Sequence, residues 1–346
     1  MGSWIHLVFW LLFAAGLWAA RGRTVFWPLL ALGLLLLFNE LFTPGFFALE
    51  VRGGHLYGTR IDILNEGAKI MLLGLGLTLV IATGGVDLSV GATMAIAGAV
   101  AAQALVAAHL SPGLAILAAL VAAALAGAWN GLLVAVLRIP PIVATLILMV
   151  AGRGIAQLIT GGQIITFADP VLGYLGNGWF LGLPFTLTVV LLAFGLTALL
   201  TRRTALGLFI EAIGESETAS RYTGLPARTV KFFVYVFSGV CAGVAGLIAA
   251  GNIHSADANH AGLYLELDAI IAAVVGGTSL AGGRFYLAGA LVGALLMQTL
   301  TTTLYALNVS ADVATVPKAL VILAACLLQS PQFRARLTRR KSPGAA

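Results

Sequence analysis

The chain has 346 residues, of which 60% are hydrophobic and only 9% are charged, and its formal net charge is +6. Since a soluble domain usually carries about 25% charged residues, these proportions exclude a soluble enzyme, a nucleic-acid-binding domain and a disordered chain. They predict a polytopic membrane protein whose positive charge lies in its loops and tail.

The first predicted element is a membrane span at residues 4–20. Arg21 and Arg23 follow this run, whereas a cleavable signal peptide carries its positive charges before the apolar run. We therefore expect residues 1–24 to form an N-terminal segment that holds one additional, uncleaved helix.

Ten further apolar runs follow, and each is expected to be a transmembrane helix because about 20 apolar residues cross a bilayer. They lie near residues 25–43, 63–83, 92–110, 114–137, 140–160, 184–200, 232–251, 268–283, 287–305 and 316–331. The predicted fold class is all-α: a polytopic bundle of about ten core helices, with the N-terminal helix in addition and a basic tail at 336–346. Gly-rich runs are expected to contain helices that break at membrane depth.

Alternating these spans across the membrane places most basic residues on one side. That side collects 14 of the 19 lysines and arginines: Arg21, Arg23, Arg138, Arg202, Arg203, Arg221, Arg228, Lys231, Arg284, Arg334, Arg336, Arg339, Arg340 and Lys341. Because lysine and arginine accumulate in cytoplasmic loops, this side is expected to be cytoplasmic. The loops expected outside are 44–62, 161–183, 252–267 and 306–315.

A glycine-rich segment joins the runs that end and begin near residues 83 and 92. It holds a carboxylate, Asp87, at or near membrane depth, where ionisable groups are costly and often functional. Either Asp87 caps the start of the next helix, which is the simpler interpretation, or it acts directly on a transport route. The candidates in this segment are Gly84, Gly85, Asp87, Ser89 and Gly91.

The segment 211–225 is expected to form a short helix on the cytoplasmic side. Acidic residues near its start and Arg221 near its end match the helix dipole, and Gly224 suits a left-handed C-cap before Pro226. Small residues recur at helical spacing, at Ala212, Ser216, Ala219, Ser220 and Thr223. The residues alone leave open whether this is a solvated loop helix or a surface for close contact with a partner.

No nucleotide-binding loop is visible in the sequence. A P-loop needs Gly-Lys-Ser/Thr, and none of the four lysines follows a glycine. Any ATP hydrolysis is therefore expected on another chain. His254 and His260 are the nearest approach to a metal pair, and solvated loop residues are the simpler interpretation. Polar residues within spans could line a route or join helices: Asn130, Thr145, Gln157, Gln298 and Thr301 to Thr303.

A secondary carrier coupled to protons or sodium is one function that these residues allow. Its coupling carboxylate would be Asp87, Glu40 or Asp268. Glu40 and Asp268 are expected at the outer ends of their spans and hydrated, which leaves Asp87 as the deep candidate.

Two segments resemble signatures of the sugar-type ABC importer permeases, the family of ribose, xylose, arabinose and galactofuranose permeases. The family pattern Thr-Gly-Gly-Ile-Asp-Leu-Ser-Val-Gly is matched from Thr83 to Gly91 except at Val86. The cytoplasmic motif, roughly Ala-Ile-Gly-x-Asn-x-x-Ala-Ala-Arg-x-x-Gly, is departed from at Ser216 and Ser220 and matched at Ala212, Ile213, Gly214, Ala219, Arg221 and Gly224. Residues 144–163, 256–270 and 282–285 are similar to galactofuranose permeases in particular.

The resemblance implies a transport subunit without enzyme activity, cofactor or metal of its own. Residues 25–335 would be the permease domain, and 211–225 its coupling helix, with Glu211, Ala212, Gly214, Glu217, Ala219, Arg221 and Gly224 as the residues that couple to the ATPase. Its partners would be an ABC ATPase that binds ATP and Mg²⁺, a periplasmic sugar-binding protein, a second identical or related permease subunit, and lipid of the bacterial inner membrane. The assembly would move a monosaccharide, galactofuranose or a pentose, inward by alternating access.

Overall fold

A computed structural model of the chain describes residues 10, 13–18, 20, 25–310, 313 and 315–320. The expected span at 4–20 and the run at 316–331 lie partly outside the described residues, and the tail at 336–346 lies wholly outside them.

Helices dominate the described residues. We number them α1 (Phe26–Phe42), α2 (Thr59–Ala82), α3 (Val90–Val106), α4 (Pro112–Gly131), α5 (Pro141–Thr160), α6 (Pro170–Asn177), α7 (Phe185–Arg203), α8 (Leu206–Glu215), α9 (Glu217–Tyr222), α10 (Ala227–Ile253), α11 (Leu265–Val275) and α12 (Leu287–Ala306). A π-helical turn, Leu132–Val136, continues α4. Six helices of the described part are long and apolar enough to cross a membrane: α2, α4 with its π turn, α5, α7, α10 and α12. This confirms a helical membrane-protein fold, while the total of about ten core helices stays a prediction.

The strands are very short and form three antiparallel pairs. The pairs are β1 (Glu50–Arg52) with β2 (His55–Tyr57), β3 (Ile165–Thr166) with β6 (Ser255–Ala256), and β4 (Trp179–Phe180) with β5 (Leu183–Pro184). They lie in the loops expected outside, except that β5 extends to Pro184, the first residue of the span expected at 184–200. The pair of β3 and β6 joins two loops that are distant in sequence.

The centre of the bundle is α2, which packs against α10, α11 and α12. Its residues from Ile70 to Ala82 are all buried, as expected for a helix that is apolar on every side. The approach to α10 is close because a Cβ at Gly76 would lie 2.9 Å from the Cα of Ser238.

The run at 268–283 is not one transmembrane helix, so this expectation is wrong. Helix α11 has only 11 residues and ends at Val275. Gly277, Gly282 and Gly283 then adopt positive φ angles of 102°, 89° and 85°, which favour glycine and end helical geometry. The glycines of this non-helical segment pack closely against protein, since a Cβ at Gly276 would collide with Gly289 and one at Gly282 would lie 2.8 Å from the carbonyl oxygen of Gly214, whereas Leu280 is 49% exposed.

Helix α6 lies in a region that was expected to be only a loop. Asp169 Oδ1 accepts hydrogen bonds from the backbone N–H groups of Val171 at 3.0 Å and Leu172 at 2.9 Å, and Pro170 occupies the first helical position. The Asp-Pro pair is a helix-start signal that the sequence contained.

Candidate functional site

Asp87 lies at the centre of a buried polar cluster between α2 and α3. Its side chain is 1% exposed. Oδ1 accepts hydrogen bonds from the backbone N–H of Ser89 at 3.0 Å and from the hydroxyl of Ser89 at 2.7 Å. The amide of Asn130 on α4 donates to Oδ1 at 3.3 Å, and the hydroxyl of Ser238 on α10 donates to Oδ2 at 3.0 Å. The carboxylate therefore joins the start of α3 to two other helices.

The interpretation of Asp87 as the N-cap of α3 is wrong in position. Ser89 is the residue that precedes α3, and its side chain makes no capping hydrogen bond. Asp87 instead closes a local turn onto Ser89, and Asn130 also donates to the hydroxyl of Ser89 at 2.7 Å. Asn130 thus joins helices, which is one of the two roles considered for it.

Glycines allow the backbone to reach this cluster. Gly84 has a φ of 76°, and a Cβ at Gly85 would lie 2.6 Å from the hydroxyl oxygen of Tyr235. That hydroxyl donates to the carbonyl of Val86 at 3.2 Å, so α10 holds the break between α2 and α3 at two positions, Tyr235 and Ser238.

Gly91 packs against a loop from the opposite end of the bundle. A Cβ at Gly91 would collide with the carbonyl of Gly262 and with the carboxylate of Glu266. Arg153 on α5 holds the same loop, because its Nη1 donates to the carbonyls of Ala258 at 3.1 Å and Ala261 at 2.5 Å. The segment 257–264 therefore reaches the beginning of α3.

The segment 211–225 contains two helices rather than the single helix that was expected. Helix α8 ends at Glu215, and Ser216 begins α9 by accepting a hydrogen bond from the N–H of Ala219 at 3.2 Å. Gly224 has a φ of 84°, as expected for a residue that follows a helix end. The proposed small face is interrupted, since Ser220 is buried and Ala212 belongs to α8.

Glu217 joins α9 to α10. It forms a hydrogen-bonded ion pair with Arg221, one turn later, and a second with Lys231 Nζ at 2.5 Å. Partial burial favours a higher pKa for Glu217, but the hydrogen bonds and charges of Lys231 and Arg221 outweigh it and hold the pKa below its usual value. The carboxylate is therefore ionised at neutral pH and ties the helix in place.

Gly214 fixes the other end of this segment. A Cβ at Gly214 would collide with the carbonyl oxygen of Ala82 and the amide nitrogen of Gly283, and the N–H of Gly283 donates to the Ala82 carbonyl at 3.0 Å. Helix α8 thus touches the end of α2, the loop that follows α11 and, through Ala82, the segment that leads to Asp87.

The remaining coupling candidates differ in exposure. Glu211 is half-buried, while Ala212 and Ala219 are exposed. Tyr222, on the last turn of α9, is 88% exposed. Four residues were not predicted to belong to a site: Tyr222, Lys231, Tyr235 and Ser238. The spacing of Tyr235 and Ser238, three apart on one helix face, was the available signal for the last two.

The expectation that Asp268 and Glu40 are hydrated is wrong for Asp268. Asp268 is 4% exposed, and its Oδ2 lies 2.7 Å from Lys318 Nζ. Glu40 accepts a hydrogen bond from the indole N–H of Trp10. Both carboxylates are therefore engaged with other side chains.

The other singled-out residues have ordinary structural contacts. His260 Nδ1 lies 2.8 Å from Asp257 Oδ2, and the described residues contain no group of three or more His, Cys, Asp or Glu that could hold a metal ion. Thr303 accepts a hydrogen bond from Asn39 on α1 at 2.7 Å, and Gln157 donates to Asn259 at 2.7 Å.

Comparison with known proteins gives consistent matches along most of the chain. Residues 59–326 match the family described as branched-chain amino acid transport system / permease component. The chain is 51% identical over 312 residues to the galactofuranose transporter permease protein YtfT of Escherichia coli (strain K12), with 89% of this chain and 91% of that protein covered. It is 40% identical to the fructose import permease protein FruF of Bifidobacterium longum, covering 89% and 88%, and 36% identical to the ribose import permease protein RbsC of Escherichia coli (strain K12), covering 87% and 92%. No solved structure matches the chain.

Proposed function

Because this chain belongs to the permease family of branched-chain amino acid transport systems, and within it to the ABC sugar permeases, we propose that it is the membrane subunit of an ATP-driven monosaccharide importer. Galactofuranose is the first candidate for the sugar and a pentose the second, given the names of the relatives. The site of action is the bacterial inner membrane.

The observation that carries this proposal is the way α8 and α9 are attached to the bundle. Gly214 contacts the end of α2, and Glu217 is bonded to Lys231 at the beginning of α10. The outer face of α9 stays exposed, with Ala219 and Tyr222 on it. An element that is rigidly joined to the bundle and exposed to the cytoplasm suits the transmission of movement from a separate ATPase, which binds ATP and Mg²⁺.

The contacts of these helices lead toward Asp87 by two routes. Gly214 touches Ala82, five residues before Asp87, and α10 carries Tyr235 and Ser238, which hold Val86 and Asp87. A displacement of α8 and α9 would therefore be transmitted through these contacts to the break between α2 and α3. Alternating access requires an element with two discrete arrangements, and the equilibrium between them must respond to events on either side of the membrane.

The structure argues against the ion-coupled carrier. Each of its three candidate carboxylates is held by neighbouring side chains: Asp87 by Ser89, Asn130 and Ser238, Asp268 by Lys318, and Glu40 by Trp10. A carboxylate that loads and releases an ion must exchange these partners in every cycle. A neutral sugar moved by an external ATPase needs no such exchange.

Reconstitution in vesicles tests the proposal. The permease with its ATPase and periplasmic binding protein should import radiolabelled sugar only when ATP and Mg²⁺ are present, and an ATPase unable to hydrolyse ATP should stop import. Vesicles that hold this chain alone provide the matched control. Sugar uptake by that chain in response to an imposed proton or sodium gradient would contradict the proposal and favour the carrier.

A further inference from the structure

A cavity of about 330 Å³ lies between the helices at the end of the bundle that is assigned to the outside. We call it the outer cavity. Helices α2, α3, α10 and α12 form its walls, and the segment 255–263, which we call the covering segment, closes one side. Since ligand cavities range upward from about 300 Å³, this volume suits a single small molecule.

The outer cavity has polar groups of the kind that bind hydroxyl groups. Glu66 and Lys69 come from α2, Asn252 from α10, Asp257 and His260 from the covering segment, and Gln298 from α12. The amide of Asn252 donates to Glu66 at 3.3 Å. Among the described residues, the side-chain amide of Gln298 has no hydrogen-bond partner, so its donors and acceptor are available to a ligand.

Each carboxylate that lines the outer cavity is held by a neighbouring side chain. Lys69 Nζ lies 2.5 Å from the Glu66 carboxylate, and His260 lies against the Asp257 carboxylate. Lys69 and both carboxylates are thus engaged with each other or with His260, which leaves no isolated charge among the described lining residues to attract an ion. Carboxylates and amides together can bind several hydroxyl groups of a neutral molecule.

The cavity wall is preformed on the side of the covering segment. Arg153 binds the carbonyls of Ala258 and Ala261, and Gly262 packs directly against Gly91. No Phe, Tyr or Trp side chain lies among the described residues that line the cavity. The site therefore lacks a stacking surface for a sugar ring, which suits weak binding and rapid release on a transport route.

We propose that the outer cavity is a low-affinity site for the neutral monosaccharide that this permease carries, with Gln298 as one of its binding residues. The inference rests on the proposed function, since it concerns the sugar of that importer. The sugar would bind transiently within one permease chain, at a site next to Gly91 and the Asp87 cluster.

Cysteine protection in the assembled transporter tests this assignment. Uptake of radiolabelled D-galactose, D-ribose and D-fructose first identifies the sugar that the vesicles import. Ala249→Cys, in a background with Cys241→Ala and Cys326→Ala, places a thiol in the cavity wall. The imported sugar at millimolar concentration should protect this thiol from a small water-soluble thiol reagent, while Ala108→Cys, exposed outside the cavity, should react equally with and without sugar.

A second variant measures the contribution of Gln298. Gln298→Leu removes the amide and should lower the transport turnover by roughly 3- to 10-fold, the loss expected for one or two neutral hydrogen bonds. Gln103→Leu, outside the cavity, is the matched control and should transport at the wild-type rate. If ATP-dependent import proceeds but the sugar leaves Ala249→Cys unprotected, and Gln298→Leu transports like Gln103→Leu, the cavity assignment is wrong and the proposed function stands. Absence of ATP-dependent import of these three sugars and also of D-xylose and L-arabinose would overturn both.

Discussion

Lys231 Nζ lies 2.5 Å from Oε2 of Glu217, so that an ion pair joins the short helix α9 to the beginning of α10. Arg221 binds the other carboxylate oxygen. One carboxylate thus fixes α9 both internally and to the bundle, which is why α9 can keep its orientation although it has only six residues.

Glu217→Gln should lower the melting temperature of the purified permease at neutral pH. The loss is modest, up to about 1 kcal/mol, because the pair is partly exposed and screened. Since the pKa of Glu217 is lowered in the fold, its contribution is present above the unfolded pKa and is lost as the pH falls through the folded pKa. Melting curves between neutral and acidic pH should therefore converge for the wild type and Glu217→Gln. Glu215→Gln is the control, and a difference between the wild type and Glu217→Gln that persists in acid would contradict the ion-pair role.

Ala219→Leu should reduce the binding of the ATPase while leaving the permease folded, because Ala219 is exposed on α9. An added side chain in a fitted contact costs about 1–3 kcal/mol, which corresponds to a loss of roughly 5- to 150-fold in affinity. Retention of the ATPase on immobilised permease measures this. Ala306→Leu, an exposed alanine at the opposite end of the bundle, should retain the ATPase. Normal retention and uptake with Ala219→Leu would show that α9 is only a solvated loop helix.

Asp87→Ala should destabilise the fold much more than Asp87→Asn. Alanine leaves Ser89 and Ser238 without their acceptor and removes one of the two acceptors of Asn130, at about 1–3 kcal/mol for each buried group left unpaired. Asparagine keeps one oxygen for Ser89 and can donate to the hydroxyl of Ser238. Thermal unfolding in detergent compares the two, with the exposed Asp62→Ala as control. An Asp87→Asn variant that folds like the wild type yet does not transport would mean that the negative charge itself is required.

Gly214→Ala should impair both stability and uptake, since the new Cβ would collide with Ala82 and Gly283. Overpacking of this kind costs about 1–3 kcal/mol. Gly195→Ala on α7 is the matched control, because no atom lies within 4 Å of its added Cβ. Equal melting temperatures and uptake for the two variants would show that α8 does not rest on the end of α2 as described.

The orientation can be checked by labelling single cysteines in intact cells. In a background with Cys241→Ala and Cys326→Ala, Leu181→Cys should react with an impermeant reagent from outside, because Leu181 is 88% exposed in a loop assigned to that side. Arg203→Cys, at the exposed end of α7, should react only after the cytoplasmic face is opened. Reversed labelling would place α9 outside and remove the basis for its contact with an ATPase.

The sequence was sufficient to predict those features that depend on local pattern. Apolar runs predicted most of the helices, and Gly224 and Pro226 marked the end of α9. The glycine pair before Asp87 predicted the break between α2 and α3. These features are set by neighbours within a few residues, and their physical signals lie within a single segment.

Contacts between distant segments could not be predicted in this way. Ser238 is 151 residues from Asp87, and Lys318 is 50 residues from Asp268. No periodicity within one run reveals such a partner. The run at 268–283 misled for a different reason. Hydropathy alone does not register the four glycines that follow Val275, and Gly277, Gly282 and Gly283 adopt positive φ angles that end helical geometry.

Unequal burial among the spans has a consequence for how the protein responds to its membrane. We compare the buried share of residues in the most apolar 18-residue window of each span. This share is 78% in α2, but only 28% in α5 and 22% in α7. A change in bilayer thickness or acyl-chain composition acts on apolar surface that faces lipid, so it acts on α5 and α7 wherever a second permease subunit does not cover them. Helix α5 also carries Arg153, which holds the wall of the outer cavity. Lipid composition is thereby connected to the cavity through a helix that faces outward along most of its length.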